Sequence, residues 1–149
     1  MTVSVLTGRA YQALARSAGQ ADGLSPPMVL YPSMGLFRVP ARLTGPTGQS
    51  EEVELLVDTG ATLLVVPADL AGRLSLVPRR HHPVVVAGGR REVWPVAEVQ
   101  LTLNGQEVTT PCFISPAGPP LLGAVALESL FLAVDPVAKR LITVEGFVG

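Results

Sequence analysis

One acidic residue, Asp58, stands in a short turn between the apolar segments Leu55–Val57 and Leu63–Val66, within the stretch E-L-L-V-D-T-G-A-T that runs from Glu54 to Thr62. A carboxylate in that place must be solvated, be paired, or be held at a raised pKa, because an unpaired buried charge is very costly. This makes Asp58 a functional candidate on physical grounds. The bland alternative is a turn residue, since Asp and Gly favour tight turns and an Asx-type hydrogen bond needs no chemistry. Two adjacent histidines, His81 and His82, raise the question of a metal. Neighbours in a strand point to opposite faces, no Cys or acidic ligand stands at helical or hairpin spacing to them, and Pro83 follows at once. They are therefore expected in a loop, with no metal bound. The single cysteine, Cys112, cannot form an internal disulfide, which suits a reducing cytoplasm, and it reads as a small buried hydrophobe.

The chain that must position these residues has 149 of them, 48% apolar and only 15% charged, with 15 glycines and 14 prolines. That length fits a single domain, and that composition favours a β-rich fold of short elements and frequent turns. The net charge of −1 and the lack of any Lys/Arg block give no reason to expect nucleic acid or an anionic membrane as partner. No apolar run approaches the roughly 20 residues that cross a membrane, so a soluble, cytoplasmic protein is expected. Residues 1–33 read as an extension. Thr7 to Ala18 has the spacing of a short helix, with Tyr11, Leu14 and Ala15 on one face, Gly19 to Pro27 is loop-like, and no continuous apolar core of signal-peptide type is present. Met28 and Met34 are alternative starts, and strand patterning begins with the second, so residues 34–149 form the expected domain.

From Gly35 the pattern is of paired strands. Leu36–Leu43 and Val53–Val57 flank a Gly/Pro-rich turn, Leu63–Val66 follows the Asp58 turn, and Pro67 opens a short helix over Ala68–Leu74. Val84–Ala87 and Glu92–Val96 flank Gly88-Gly89-Arg90-Arg91, a hairpin whose glycines permit positive φ. Trp94 on its return arm reads as core packing first and as an apolar ligand contact second. Val99, Leu101 and Leu103 alternate with polar residues up to Asn104-Gly105, the strongest short hairpin signal in the chain, and Glu107–Ile114 returns beside them. Leu121-Leu122-Gly123 then leads into an amphipathic helix over Ala124–Phe131, and Leu132–Val134 with Arg140–Val144 closes as a hairpin. A weak internal repeat of strand, Gly-containing turn and short helix appears around Asp58–Gly60 and again around Leu121–Gly123, with the acid only in the first copy.

Taken in order and spacing, E-L-L-V-D-T-G-A-T and P-L-L-G-A-V-A-L-E-S-L-F-L-A-V-D-P-V-A-K-R-L resemble the retropepsin-like aspartic proteases, in particular small single-domain bacterial members, over about Gly35 to Val144. The resemblance implies a mainly all-β domain, a closed antiparallel β barrel with one or two short helices. It also implies a homodimer in which each subunit supplies one catalytic Asp, acting on an extended peptide or unfolded protein with no metal or organic cofactor. Under it Asp58 is the catalytic acid, Thr59 the hydroxyl that locks the two active-site loops across the dimer, and Gly60 the glycine beside the carboxylate. Ala61 and Thr62 line or brace the same loop. The hairpin Val84–Val96 is the flap, with Ala87, Gly88 and Gly89 at or near its tip, and Leu121, Leu122 and Gly123 form the inner strand behind the site. Retroviral members often carry an Arg just after that last glycine, where this chain has Ala124. The terminal L-I-T-V-E-G-F-V-G is a source for an intersubunit strand.

Two other readings compete with the endopeptidase. A non-catalytic dimerisation or peptide-binding module would keep the same fold. Phosphoryl transfer through an aspartyl-phosphate fits poorly, because the Lys expected between Asp and Thr is missing, as is any Gly-rich loop ending in Lys-Ser or Lys-Thr.

Overall fold

The Asp58 turn is held where the two halves of one ring-like sheet meet. The computed structural model describes residues 36–149, so the helix expected over Thr7–Ala18 and the starts at Met28 and Met34 lie outside the described residues. Strands β1 (Arg38–Thr44) and β2 (Ser50–Val57) pair antiparallel, and β2 ends one residue before Asp58. After the turn come β3 (Leu64–Pro67), helix α1 (Ala68–Arg73), β4 (Arg80–Val85), β5 (Arg91–Leu103), β6 (Gln106–Ser115), β7 (Leu121–Leu122) and helix α2 (Ala124–Ser129). The chain closes with a separate two-stranded sheet of β8 (Leu132–Asp135) and β9 (Arg140–Thr143).

The large sheet has the order β1-β2-β7-β3-β6-β5-β4, and a further pairing of Arg42–Thr44 with Gln100–Thr102 joins β1 to β5 and closes the ring, leaving β4 as an edge. Most pairs are antiparallel, as expected. Two are parallel, β2 with β7 and β3 with β6, because β7 and β3 lie side by side between the two hairpins. The core fills the ring with alternate residues of its strands: Leu43, Leu55, Val57, Leu64, Val66, Leu101, Cys112 and Leu122 are all fully enclosed. Leu70, Ala71 and Leu74 from α1, and Ala126, Leu127 and Leu130 from α2 and its end, close the remaining openings. Each fully buried side chain of this size is worth about 1.5–3 kcal/mol relative to leaving it in water.

Local signals explain most boundaries. Pro67, with φ −65° and ψ 152°, caps α1 without needing its missing N–H. Asn104 and Gly105, at φ 51° and 76°, form the two-residue turn between β5 and β6. Three expectations are corrected. His81 and His82 lie in strand β4, not in a loop, because an edge strand has no outer neighbour and tolerates Pro83 within it. The β4–β5 hairpin has longer arms than its apolar run suggests, and its tip spans 86–90, where Val86 and Arg90 are bonded across the turn. Helix α2 stops at Ser129, and Phe131 sits beyond it at φ 54°, 54% exposed, instead of on the buried face.

Candidate active site

The backbone around Asp58 is tied down by β7, by the residue before β1 and by its own turn. Val57 N–H donates to the Phe37 carbonyl at 2.8 Å, Asp58 N–H to Leu122 O at 3.0 Å, and Ala61 N–H back to Asp58 O at 3.1 Å. The Asp58 side chain is half-buried, and its Oδ1 accepts from Gly60 N–H at 2.9 Å. No ion pair between described residues involves it. The opening problem of a stranded acid is thus met partly by solvent and partly by the main chain of its own turn.

The second half of the loop is fastened to the start of α2. Ala124 N–H donates to Ala61 O at 2.8 Å and Val125 N–H to Thr62 O at 2.9 Å, so the first two amides of the helix are satisfied by the loop and not by a side-chain cap. Gly123 makes this approach possible. A Cβ there would lie 2.2 Å from Leu63 O and 2.7 Å from Ala61 O. Leu121 and Leu122 stand in register with Leu56 and Val57, directly behind the carboxylate. Where an Arg was noted as frequent in retroviral members, Ala124 therefore contributes a backbone bond to the same loop.

Thr59, Gly60, Ala61 and Thr62 form one wall of an open pocket of about 310 Å³ whose other wall is Ala124, Val125 and Glu128. Sequence reasoning named the loop and missed Val125 and Glu128. Their signal was helical spacing, which places residues 124, 125 and 128 on one side of α2, but that face reads as ordinary surface. None of the side-chain hydrogen bonds among the described residues uses the hydroxyl of Thr59 or Thr62. Ala87, Gly88 and Gly89 lie together in the tip of the β4–β5 hairpin, with Gly88 at φ 93° and Gly89 at φ 85°. Among the described residues no group of three or more His, Cys, Asp and Glu converges to hold a metal ion.

A ring-like, mostly antiparallel sheet with an Asp-Thr-Gly turn braced by an inner Leu-Leu-Gly segment is the architecture of a retropepsin-like aspartic protease. Similarity searches agree: the family profile described as aspartyl protease matches residues 39–127, and the chain belongs to that family. Among solved structures, the EIAV protease in complex with the inhibitor HBY-793 superposes with a TM-score of 0.51 at 18% identity, covering 64% of this chain and 88% of that one. The simian foamy virus (mac) protease in solution gives 0.47 at 19% identity, over 63% of this chain and 94% of that one. No curated protein sequence matches.

Proposed function

We propose that the protein is an aspartic endopeptidase whose active site is completed when two copies bring their Asp58 residues together. The observation that carries this reading is the construction of the Asp58 loop: its backbone is fixed by β7 and α2, while the carboxylate keeps open faces and the Thr59 hydroxyl has no hydrogen-bond partner among the described residues. Two carboxylates side by side cannot both ionise, so they share a proton. The charged partner draws a proton from a water molecule as that water attacks the scissile carbonyl, and the protonated partner donates to the carbonyl oxygen. The resulting tetrahedral intermediate collapses with proton transfer to the leaving amine. General acid/base action of this kind contributes roughly 10²–10⁴ in rate.

In this reading Thr59 ties the two loops across the dimer, Gly60 leaves room beside the carboxylate, and Ala61 and Thr62 brace the loop. Leu121, Leu122 and Gly123 back it, and the β4–β5 hairpin with Ala87, Gly88 and Gly89 closes over an extended peptide and excludes water. Residues 34–149 act as the protease domain, with 1–33 an extension to it. Phe147 and Val148, 79% and 104% exposed in the single chain, serve as intersubunit contacts. The cytoplasm is the expected setting, with Cys112 kept as a free thiol.

The Asp58–Gly60 hydrogen bond also satisfies a purely structural turn, which is what a non-catalytic peptide-binding module would require. Asp58→Asn separates the readings. Cleavage of an unstructured protein disappears in the variant while its fold and sedimentation as a dimer persist. A wild-type protein that is strictly monomeric at working concentration, or that binds peptides without hydrolysing them at any pH from acid to neutral, ends the endopeptidase reading.

A further inference from the structure

The sheet carries a second apolar face outside the main core cluster. Leu56, Leu121, Val65, Phe113 and Val96 are consecutive register partners across β2, β7, β3, β6 and β5. Register partners project to the same side of a sheet, and the residues that alternate with them, Val57, Leu122, Leu64, Val66, Cys112, Ile114 and Ala97, make the core. The row of five therefore lines the opposite side, and none of its members belongs to the core cluster. Val65 and Val96 are buried, whereas Leu56, Leu121 and Phe113 are only half-buried. One end of the row lies two residues before Asp58.

The other end is finished by Trp94, two residues before Val96 on the same strand face. Its ring meets Phe113 edge-on, with centroids 6.2 Å apart and planes at 79°. Its Nε1–H donates to Glu92 Oε1 at 2.9 Å, and the other oxygen of that carboxylate accepts from Arg90 Nε at 2.9 Å. Arg90, Glu92 and Trp94 thus run from the hairpin tip to the apolar row, and the indole is fixed in orientation while remaining half-exposed. The bond to Glu92 satisfies the indole N–H and holds the ring beside the row.

We propose that Trp94 is a specificity-determining residue of the peptide groove, walling the site for a bulky apolar side chain that lies about three to four residues from the scissile bond, with Glu92 as its positioning residue. The inference rests on the endopeptidase reading above for the meaning of "scissile". The distance follows from geometry: three strand spacings from Leu56 to Phe113 at about 4.8 Å each equal the span of about four residues of extended chain. Continuity with the Asp58 turn, through Leu56 and the Asp58–Leu122 hydrogen bond, argues for a substrate as occupant.

The chain contains a single tryptophan, so its emission reports this site alone. Asp58→Asn protein is titrated with acetylated octapeptides, free of Trp and Tyr, that differ only in carrying Phe, Leu, Ala or Asp at the outer position. The Phe and Leu peptides are expected to shift Trp94 emission saturably and to bind about tenfold tighter than the Ala peptide. In W94A, followed by calorimetry, that preference falls below about threefold, whereas W94F, which retains a ring, keeps most of it. In the otherwise wild-type enzyme, E92Q raises KM for the Phe peptide and leaves kcat unchanged. Equal binding of the four peptides, binding without an emission change, or an intact preference in W94A overturns the proposal. If wild-type protein hydrolyses peptides while Trp94 stays silent, this inference falls and the endopeptidase reading stands. If Trp94 responds with the stated preference but no hydrolysis occurs, the groove assignment stands and the enzyme reading falls. If neither binding nor hydrolysis occurs, both fall.

Discussion

Replacing Gly123 by Ala tests whether the Asp58 loop owes its position to close backbone packing. Gly123 has φ −94° and ψ −178°, extended values that alanine adopts without strain, so any effect is steric. The new methyl would stand 2.2 Å from Leu63 O and 2.7 Å from both Ala61 O and Leu63 C, all backbone atoms that cannot swing aside as a side chain can. Restoring ordinary contact at 3.4 Å requires the loop and the strand end to part by about 1.2 Å. That movement stretches the Ala124–Ala61 and Val125–Thr62 hydrogen bonds, now 2.8 and 2.9 Å, beyond useful length. Overpacking costs about 1–3 kcal/mol and each of the two weakened hydrogen bonds about 0.5–1.5, so a loss of roughly 2–6 kcal/mol is expected. Against a total stability of roughly 5–15 kcal/mol, the variant remains folded in many conditions. The activity of the folded protein should fall as well, because a misplacement near 1 Å costs about 10²-fold in a positioned reaction. Urea unfolding and peptide hydrolysis, measured on the same preparation below the unfolding transition, give the two numbers. A G123A protein within about 0.5 kcal/mol of wild type, or one whose hydrolysis rate is unchanged, refutes the reasoning.

Gly45→Ala is the matched control: its Cβ would lie 1.8 Å from Leu74 O, a comparable backbone clash on the β1–β2 turn, so urea unfolding should show a similar loss while kcat of the folded protein stays at the wild-type value. Burial pushes the Cys112 thiol up to about 12, so an aromatic disulfide reagent at pH 8 should label it only as fast as the protein unfolds, and prompt stoichiometric labelling of native protein contradicts the enclosed position. The Trp94 indole, followed by Arg90, holds the Glu92 carboxyl below its ordinary range, and a depressed pKa contributes stability that is present above the unfolded value and lost as pH falls through the folded one. Trp94 emission should therefore stay constant through the usual carboxylate range near ~4.3 and change only below it, and E92Q should abolish that acid transition. Replacing exposed Phe147 and Val148 together by Asp should weaken the proposed dimer about tenfold or more in sedimentation while leaving monomer unfolding near wild type.

The parts of this fold that were legible in the sequence are those with a local cause. Asn104-Gly105 announces its turn because both residues must take positive φ, and Asp58-Thr59-Gly60 announces a loop because an acid and a glycine interrupt two apolar strands. The ring closure between β1 and β5 has no such mark, since a pairing of three residues between strands more than fifty residues apart leaves no periodic trace. His81 and His82 were placed in a loop because Pro83 argues against an interior strand, and only the tertiary fact that β4 is an edge removes the conflict. The pocket wall at Val125 and Glu128 was hidden for a similar reason: what makes it a wall is the loop docked against α2.

The same logic explains why the strands around Asp58 read as almost continuously apolar. Leu55 and Val57 point into the ring, whereas Leu56 begins the row that ends at Trp94, and Leu64 and Val66 alternate with Val65 in the same way. A run of this kind ordinarily signals a strand covered by protein on both faces. Here one face is covered by the core, and on the other Val65 and Val96 are buried while Leu56, Leu121 and Phe113 are left half-buried, so the hydrophobicity of those three is not fully explained by the stability of this chain. Removing a core residue such as Leu64 should cost about 2–5 kcal/mol, because it leaves a cavity in the packed ring. Removing Leu56 or Phe113, each already in partial contact with solvent, should cost less than that and show its effect on peptide affinity. The ratio of those two effects, residue by residue, is therefore a direct measure of which side of the sheet serves folding and which serves recognition.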